Sequence, residues 1–91
     1  MIATAEIQVI PLGVGVSVRR EVERARQLLM ESGLRVELHA YGTNVEGELT
    51  QILAAIAKVH EVLHQEGVVR LTSAIKIGTR TDKAPSLAGK G

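Results

Sequence analysis

Residues 2–10 alternate between apolar and polar positions. Ala3, Ala5, Ile7 and Val9 fall on one side, and Thr4, Glu6 and Gln8 on the other. A period of two belongs to a strand with one buried face. Pro11 is expected to end it, because proline donates nothing to a strand ladder. Gly13 and Gly15 then form a connection, and Ser17 suits a helix N-cap. From Val18 the period changes. Val18, Val22, Ala25 and Leu29 recur at helical spacing with Leu28 beside them, while Arg19, Arg20, Glu23, Arg24 and Arg26 take the other face. Gly33 supplies the stop. Alternation returns over 34–40, where Leu34, Val36, Leu38 and Ala40 oppose Arg35, Glu37 and His39. Tyr41-Gly42 makes a turn, and 43–46 a short return strand. A second helix is expected over about 47–66, with Leu49, Ile52, Leu53, Ile56, Val59, His60 and Leu63 in one stripe and Gly67 as its stop. The last strand is expected over about 68–78, burying Val69, Leu71, Ser73, Ile75 and Ile77 and leaving Arg70, Thr72 and Lys76 opposite.

The order is strand, helix, strand, strand, helix, strand. Two helices then cover one face of a four-stranded antiparallel sheet, an α+β fold of the ferredoxin-like βαββαβ type. One domain is expected over 1–80, with 81–91 as a C-terminal tail poor in apolar residues. The uncovered sheet face presents Thr4, Glu6 and Gln8, then Arg35, Glu37 and His39, then Arg70, Thr72 and Lys76. That face is polar and mixed in sign. It is a solvated surface, a wet oligomer interface or the floor of a ligand site.

Composition narrows the chemistry. Tyr41 is the sole aromatic among 91 residues, so the core is aliphatic and successive bases find no rings on which to stack. With a net charge of +1, no nucleic-acid partner is expected. The absence of cysteine excludes disulfides, thiolate nucleophiles and Cys-based metal sites. No apolar run approaches the ~20 residues that span a bilayer, and the N-terminus lacks a signal-peptide pattern. No membrane partner and a cytoplasmic location are expected.

His60-Glu61-Val62-Leu63-His64 spells the H-E-x-x-H motif of zinc hydrolases. Its context opposes that chemistry: His60 lies on the apolar stripe, His64 closes the last helical turn, and His39 belongs to the opposite sheet face. No metal site is expected. Gly13-Val14-Gly15 begins a dinucleotide fingerprint whose third glycine position holds Val18, which leaves at most a weak anion site. The arginines of the first helix are interspersed with Glu21, Glu23 and Glu31, as on a salt-bridged surface. Neither Ser17 nor Ser73 has the surroundings of a nucleophile.

The segment Tyr41-Gly42-Thr43-Asn44-Val45-Glu46-Gly47-Glu48 gathers the only aromatic, two short polar side chains and two carboxylates around a turn. Turn chemistry accounts for Gly42, Asn44 and Glu48, but does not require Tyr41 or Glu46.

IQVIPLG near the N-terminus, ELHAYGTNVEGEL in the middle and RLTSAIKIGTRTDK near the end resemble the small thiamine-binding protein family over residues 2–83. Three separated motifs in the right order make the resemblance specific. It implies a ferredoxin-like fold, tight dimers or tetramers built through sheet packing, and binding of thiamine or its hydroxymethylpyrimidine moiety without catalysis. After Lys83 the family's usual closing segment is longer than the APSLAGKG present here.

The resemblance indicates the region of the site, and residue type assigns the roles within it. Glu46 or Glu6 accepts from the exocyclic amine or balances the thiazolium cation. Thr43 and Asn44 give directional hydrogen bonds, and Tyr41 a ring face, with Gln8 beside them on the open face. No cofactor is expected. A homo-oligomer, dimer or tetramer, would share the pocket between protomers. The alternative is a structural or regulatory oligomerisation module with no small ligand, and a metal-dependent hydrolase ranks third.

Overall fold

In the computed structural model, which describes residues 1–13, 19–83 and 86–87, the chain runs β1 (Ile2–Leu12), α1 (Arg19–Met30), β2 (Arg35–His39), β3 (Gly42–Glu48), α2 (Leu49–Gln65) and β4 (Arg70–Gly78). The strands form one antiparallel sheet in the order β2-β3-β1-β4. This is the ferredoxin-like α+β arrangement that the alternating periods predict. Ser17 and the Gly15–Val18 part of the incomplete glycine pattern lie outside the described residues.

The layers follow from the side-chain periods. Ala3, Ala5 and Ile7 of β1 and Val45 of β3 point toward the helices, where they meet Leu29 of α1 and Ile52, Val59 and Leu63 of α2. All of these are buried and aliphatic. Burying each Val, Leu or Ile contributes about 1.5–3 kcal/mol. Both glycine stops adopt the left-handed backbone that glycine permits, Gly33 at φ +85 and Gly67 at φ +108.

Four details depart from the sequence-based expectation. First, β1 continues through Pro11, which pairs with Leu71, to Leu12, which pairs with Arg70. The β3 ladder stops at Ile7↔Thr43. Beyond Ile7 the strand therefore has a neighbour on one side only among the described residues, the edge setting in which proline is tolerated.

Second, β3 is seven residues long and includes Gly47. A Cβ at Gly47 would lie 2.4 Å from Leu34 Cδ2, so the strand passes Leu34 only because position 47 has no side chain. Third, α2 consequently begins at Leu49. Its first N–H donates to Met1 O at 2.9 Å, while the Glu48 carboxylate binds the N-terminal ammonium at 2.7 Å instead of capping the helix.

Fourth, Val69 is 83% exposed, and it is Val68 that enters the core. β4 forms a sheet edge that the helices cover poorly, which leaves Ile75 and Ile77 each 38% exposed on the helix side.

Candidate functional site

Antiparallel register decides which candidate residues meet. Glu6 pairs with Asn44 and Thr4 with Glu46 across β1 and β3, so these four share the open face. Arg35 and Glu37 of β2 pair with Glu46 and Asn44, and Lys76 of β4 pairs with Glu6. The strands thus gather three carboxylates, two cations, an amide and an imidazole on one side of the sheet.

His39 is held from three directions. Its Nε2 lies 3.1 Å from Asn44 Oδ1 and 3.4 Å from Glu6 Oε2, and its Nδ1 accepts from the Tyr41 N–H at 3.3 Å. Acceptors at Nε2 and a donor at Nδ1 select the ring form that carries its proton on Nε2. Glu46 is committed to neighbours. Its Oε1 accepts from the Leu87 N–H at 3.1 Å, and its Oε2 is 3.6 Å from Arg35 Nη1. Glu6 is the freer carboxylate, with its side chain 49% exposed. Glu6, Asn44, Lys76 and Leu87 border an open depression of about 350 Å³.

The other three candidate residues stand apart. Thr43 pairs with Ile7 and is 3% exposed on the helix side of the sheet. Tyr41 lies in the β2–β3 turn, 82% exposed. Gln8 is on the open face of β1 but past the end of the β3 ladder. All three line a second, more enclosed cavity of about 270 Å³ between α1, the far half of β1 and the turn. The six candidates therefore divide between the two sides of the sheet.

Arg26 also lines that cavity, whereas the helical period alone assigns it to a solvated basic face. The signal for its different role is its position four residues after Val22, at the flank of the apolar stripe. Arg24 does behave as a surface residue and forks onto both Glu66 oxygens at 3.1 and 3.0 Å.

The two histidines of the HEVLH segment have structural partners. His60 Nε2 is 2.8 Å from Ser73 Oγ, and His64 Nδ1 donates to Val68 O at 2.7 Å. His39 lies on the opposite sheet face, away from both. Among the described residues no group of three His, Asp or Glu side chains is arranged to hold a metal ion, and no helix is long and apolar enough to cross a membrane.

A family model described as thiamine-binding protein matches residues 5–91. The chain is 44% identical to a UPF0045 protein of Synechocystis sp. over 85 residues, covering 93% of this chain and 70% of that one. The crystal structure of a hypothetical protein from Methanocaldococcus jannaschii superposes with a TM-score of 0.87 at 37% identity, covering 94% of this chain and 88% of that one. A Thermotoga maritima structure, described as a candidate thiamine biosynthesis/salvage protein, matches with a TM-score of 0.79 at 22% identity, covering 88% and 85% of the two chains.

Proposed function

The chain belongs to the thiamine-binding protein family, and we propose that it binds thiamine or a thiamine-like pyrimidine without transforming it, at a boundary between copies of the chain. The observation that carries this reading is the family match over residues 5–91. The thiamine biosynthesis/salvage description of the Thermotoga maritima relative agrees with it.

The open-face depression supplies suitable chemistry. An aminopyrimidine presents an exocyclic amine and ring-nitrogen acceptors. Glu6 accepts from the amine, and Asn44 offers both a donor and an acceptor. Glu6 replaces Glu46 as the first choice of anchor, because Glu46 already serves Arg35 and the Leu87 N–H. The depression is open, whereas sites for small ligands enclose most of their ligand's surface. A second copy laid on this face provides the missing wall, and Glu6, Arg35, Glu37 and Lys76 provide both signs of charge for pairing across a two-fold axis.

A non-binding oligomerisation module is the second reading, favoured by the half-exposed Ile75 and Ile77 along the β4 edge. Native mass spectrometry with and without thiamine separates the two. A dimer or tetramer that gains the mass of thiamine supports the binding reading. The same oligomer with no added mass, and no change in its stability, supports the module.

A further inference from the structure

Arg26 occupies a setting that its surface neighbours do not share. Its side chain is 22% exposed, against 32% for Arg24 on the same helix and 49% for Arg35. Of its donors, Nη2 donates to His39 O at 3.0 Å. Nη1 is 3.9 Å from Glu23 Oε1, a long contact to a carboxylate whose side chain is 61% exposed. Nε is buried and has no hydrogen-bond partner among the described residues. A guanidinium carries five N–H donors and a permanent charge. A buried charged group with few partners is costly to keep, so its surroundings merit a close look.

Nε is shut off from solvent, but the Arg26 side chain also borders the cavity between α1, β1 and the β2–β3 turn. Ile7, Val9, Val22, Ala25 and Leu29 give it apolar walls. Among the described residues Arg26 is its only charged lining residue, so its field favours an anion and opposes a cation. The Thr43 side chain adds a polar point on the sheet wall, and Tyr41 stands at the turn. At about 270 Å³ the cavity falls just below the ~300–1,000 Å³ of sites for drug-sized ligands, which suits one ring or a short chain. Past Ile7 no β3 residue pairs with β1, and this gap leaves room for the cavity.

We propose that this cavity binds a small organic oxyanion, a one-ring or short-chain molecule whose carboxylate or phosphate accepts hydrogen bonds from the Arg26 guanidinium while its apolar body contacts Val22 and Leu29. The site lies on the helix side of the sheet, opposite Glu6 and Asn44. It takes the opposite charge from the thiazolium of thiamine. It therefore stands or fails independently of the pyrimidine reading.

Amide NMR titrations of the labelled full chain with benzoate, phenyl phosphate and benzamide test it. Benzoate or phenyl phosphate shifts the Ala25, Leu29 and Thr43 amides saturably, and the tighter of the two identifies carboxylate or phosphate as the preferred head group. Benzamide, neutral and similar in shape to benzoate, binds at least about tenfold more weakly, as expected for loss of a charge-assisted hydrogen bond. Arg26→Gln brings the preferred acid down to the level of benzamide. The proposal is overturned if benzamide matches both acids, if neither acid moves those amides, or if Arg26→Gln leaves acid affinity unchanged. Should Arg26→Gln fail to fold, the acid–amide comparison on the parent protein decides alone.

Discussion

Replacing Gly47 by alanine tests the packing that holds β3 beside the site. The new Cβ would lie 2.4 Å from Leu34 Cδ2, whereas carbon atoms rest about 3.5–4.0 Å apart. Leu34 is 8% exposed and part of the core, so its side chain has little room to retreat. Overpacking of this kind costs about 1–3 kcal/mol. Loss of glycine's freedom in the unfolded chain returns about 0.4–1 kcal/mol. The net expectation is a loss of about 1–2 kcal/mol. For a domain of this size each kcal/mol lowers Tm by about 4–8 °C, so Tm falls by about 4–16 °C. Thermal unfolding followed by circular dichroism, at matched protomer concentration because assembly shifts Tm, measures it. The decisive step is to repeat the change in a Leu34→Ala background. That background is itself destabilised by about 2–5 kcal/mol but has lost the clashing atoms. There Gly47→Ala becomes neutral or stabilising, a coupling of about 1–3 kcal/mol. An equal cost in both backgrounds would refute the reasoning.

Three further expectations follow from the same contacts. Arg80 forks onto Asp82, with Nε–Oδ1 at 2.6 Å, and this hydrogen bond holds the Asp82 carboxyl below its ordinary value. The stabilising contribution is therefore present above the unfolded carboxylate pKa and lost as pH falls through the lower folded value. An NMR titration should give a midpoint below the ordinary aspartate value that rises in Arg80→Gln, and an unmoved midpoint would exclude the pairing. Glu6→Gln should weaken thiamine binding by about 1.5–3 kcal/mol, the range for hydrogen bonds to charged groups, while Glu46→Gln should weaken it less because Glu46 is already partnered. Calorimetry that ranks the two the other way would move the anchor back to Glu46. Sedimentation at micromolar concentration should show a dimer or tetramer, and a monomer would remove the shared pocket.

Much of the fold is written in the alternation of side chains. The periods of two and 3.6 give every element in order, and Gly33 and Gly67 end the helices where expected. What the pattern lacks is lateral position. A proline ends a strand that is paired on both sides, but β1 has lost its β3 neighbour by residue 8 and runs on through Pro11. Ile75 and Ile77 alternate as buried residues do, yet β4 is an edge strand and they remain half-exposed.

The site shows the same limit. Tyr41, Thr43, Asn44 and Glu46 are close in sequence, and proximity along the chain is all that groups them. The period of two instead sends Thr43 to the helix side and Asn44 and Glu46 to the open side. The helical period puts Arg26 on the same polar face as Arg19, Arg20 and Arg24. Only the fold shows that its guanidinium reaches the His39 carbonyl and the edge of a cavity.

The most direct test of the central claim is isothermal titration of the parent protein with thiamine and, separately, with hydroxymethylpyrimidine. Membership of the thiamine-binding family, together with the Glu6–Asn44 face, predicts saturable heat with at least one of them. An absence of heat from both, for protein shown to be folded by circular dichroism, would contradict it.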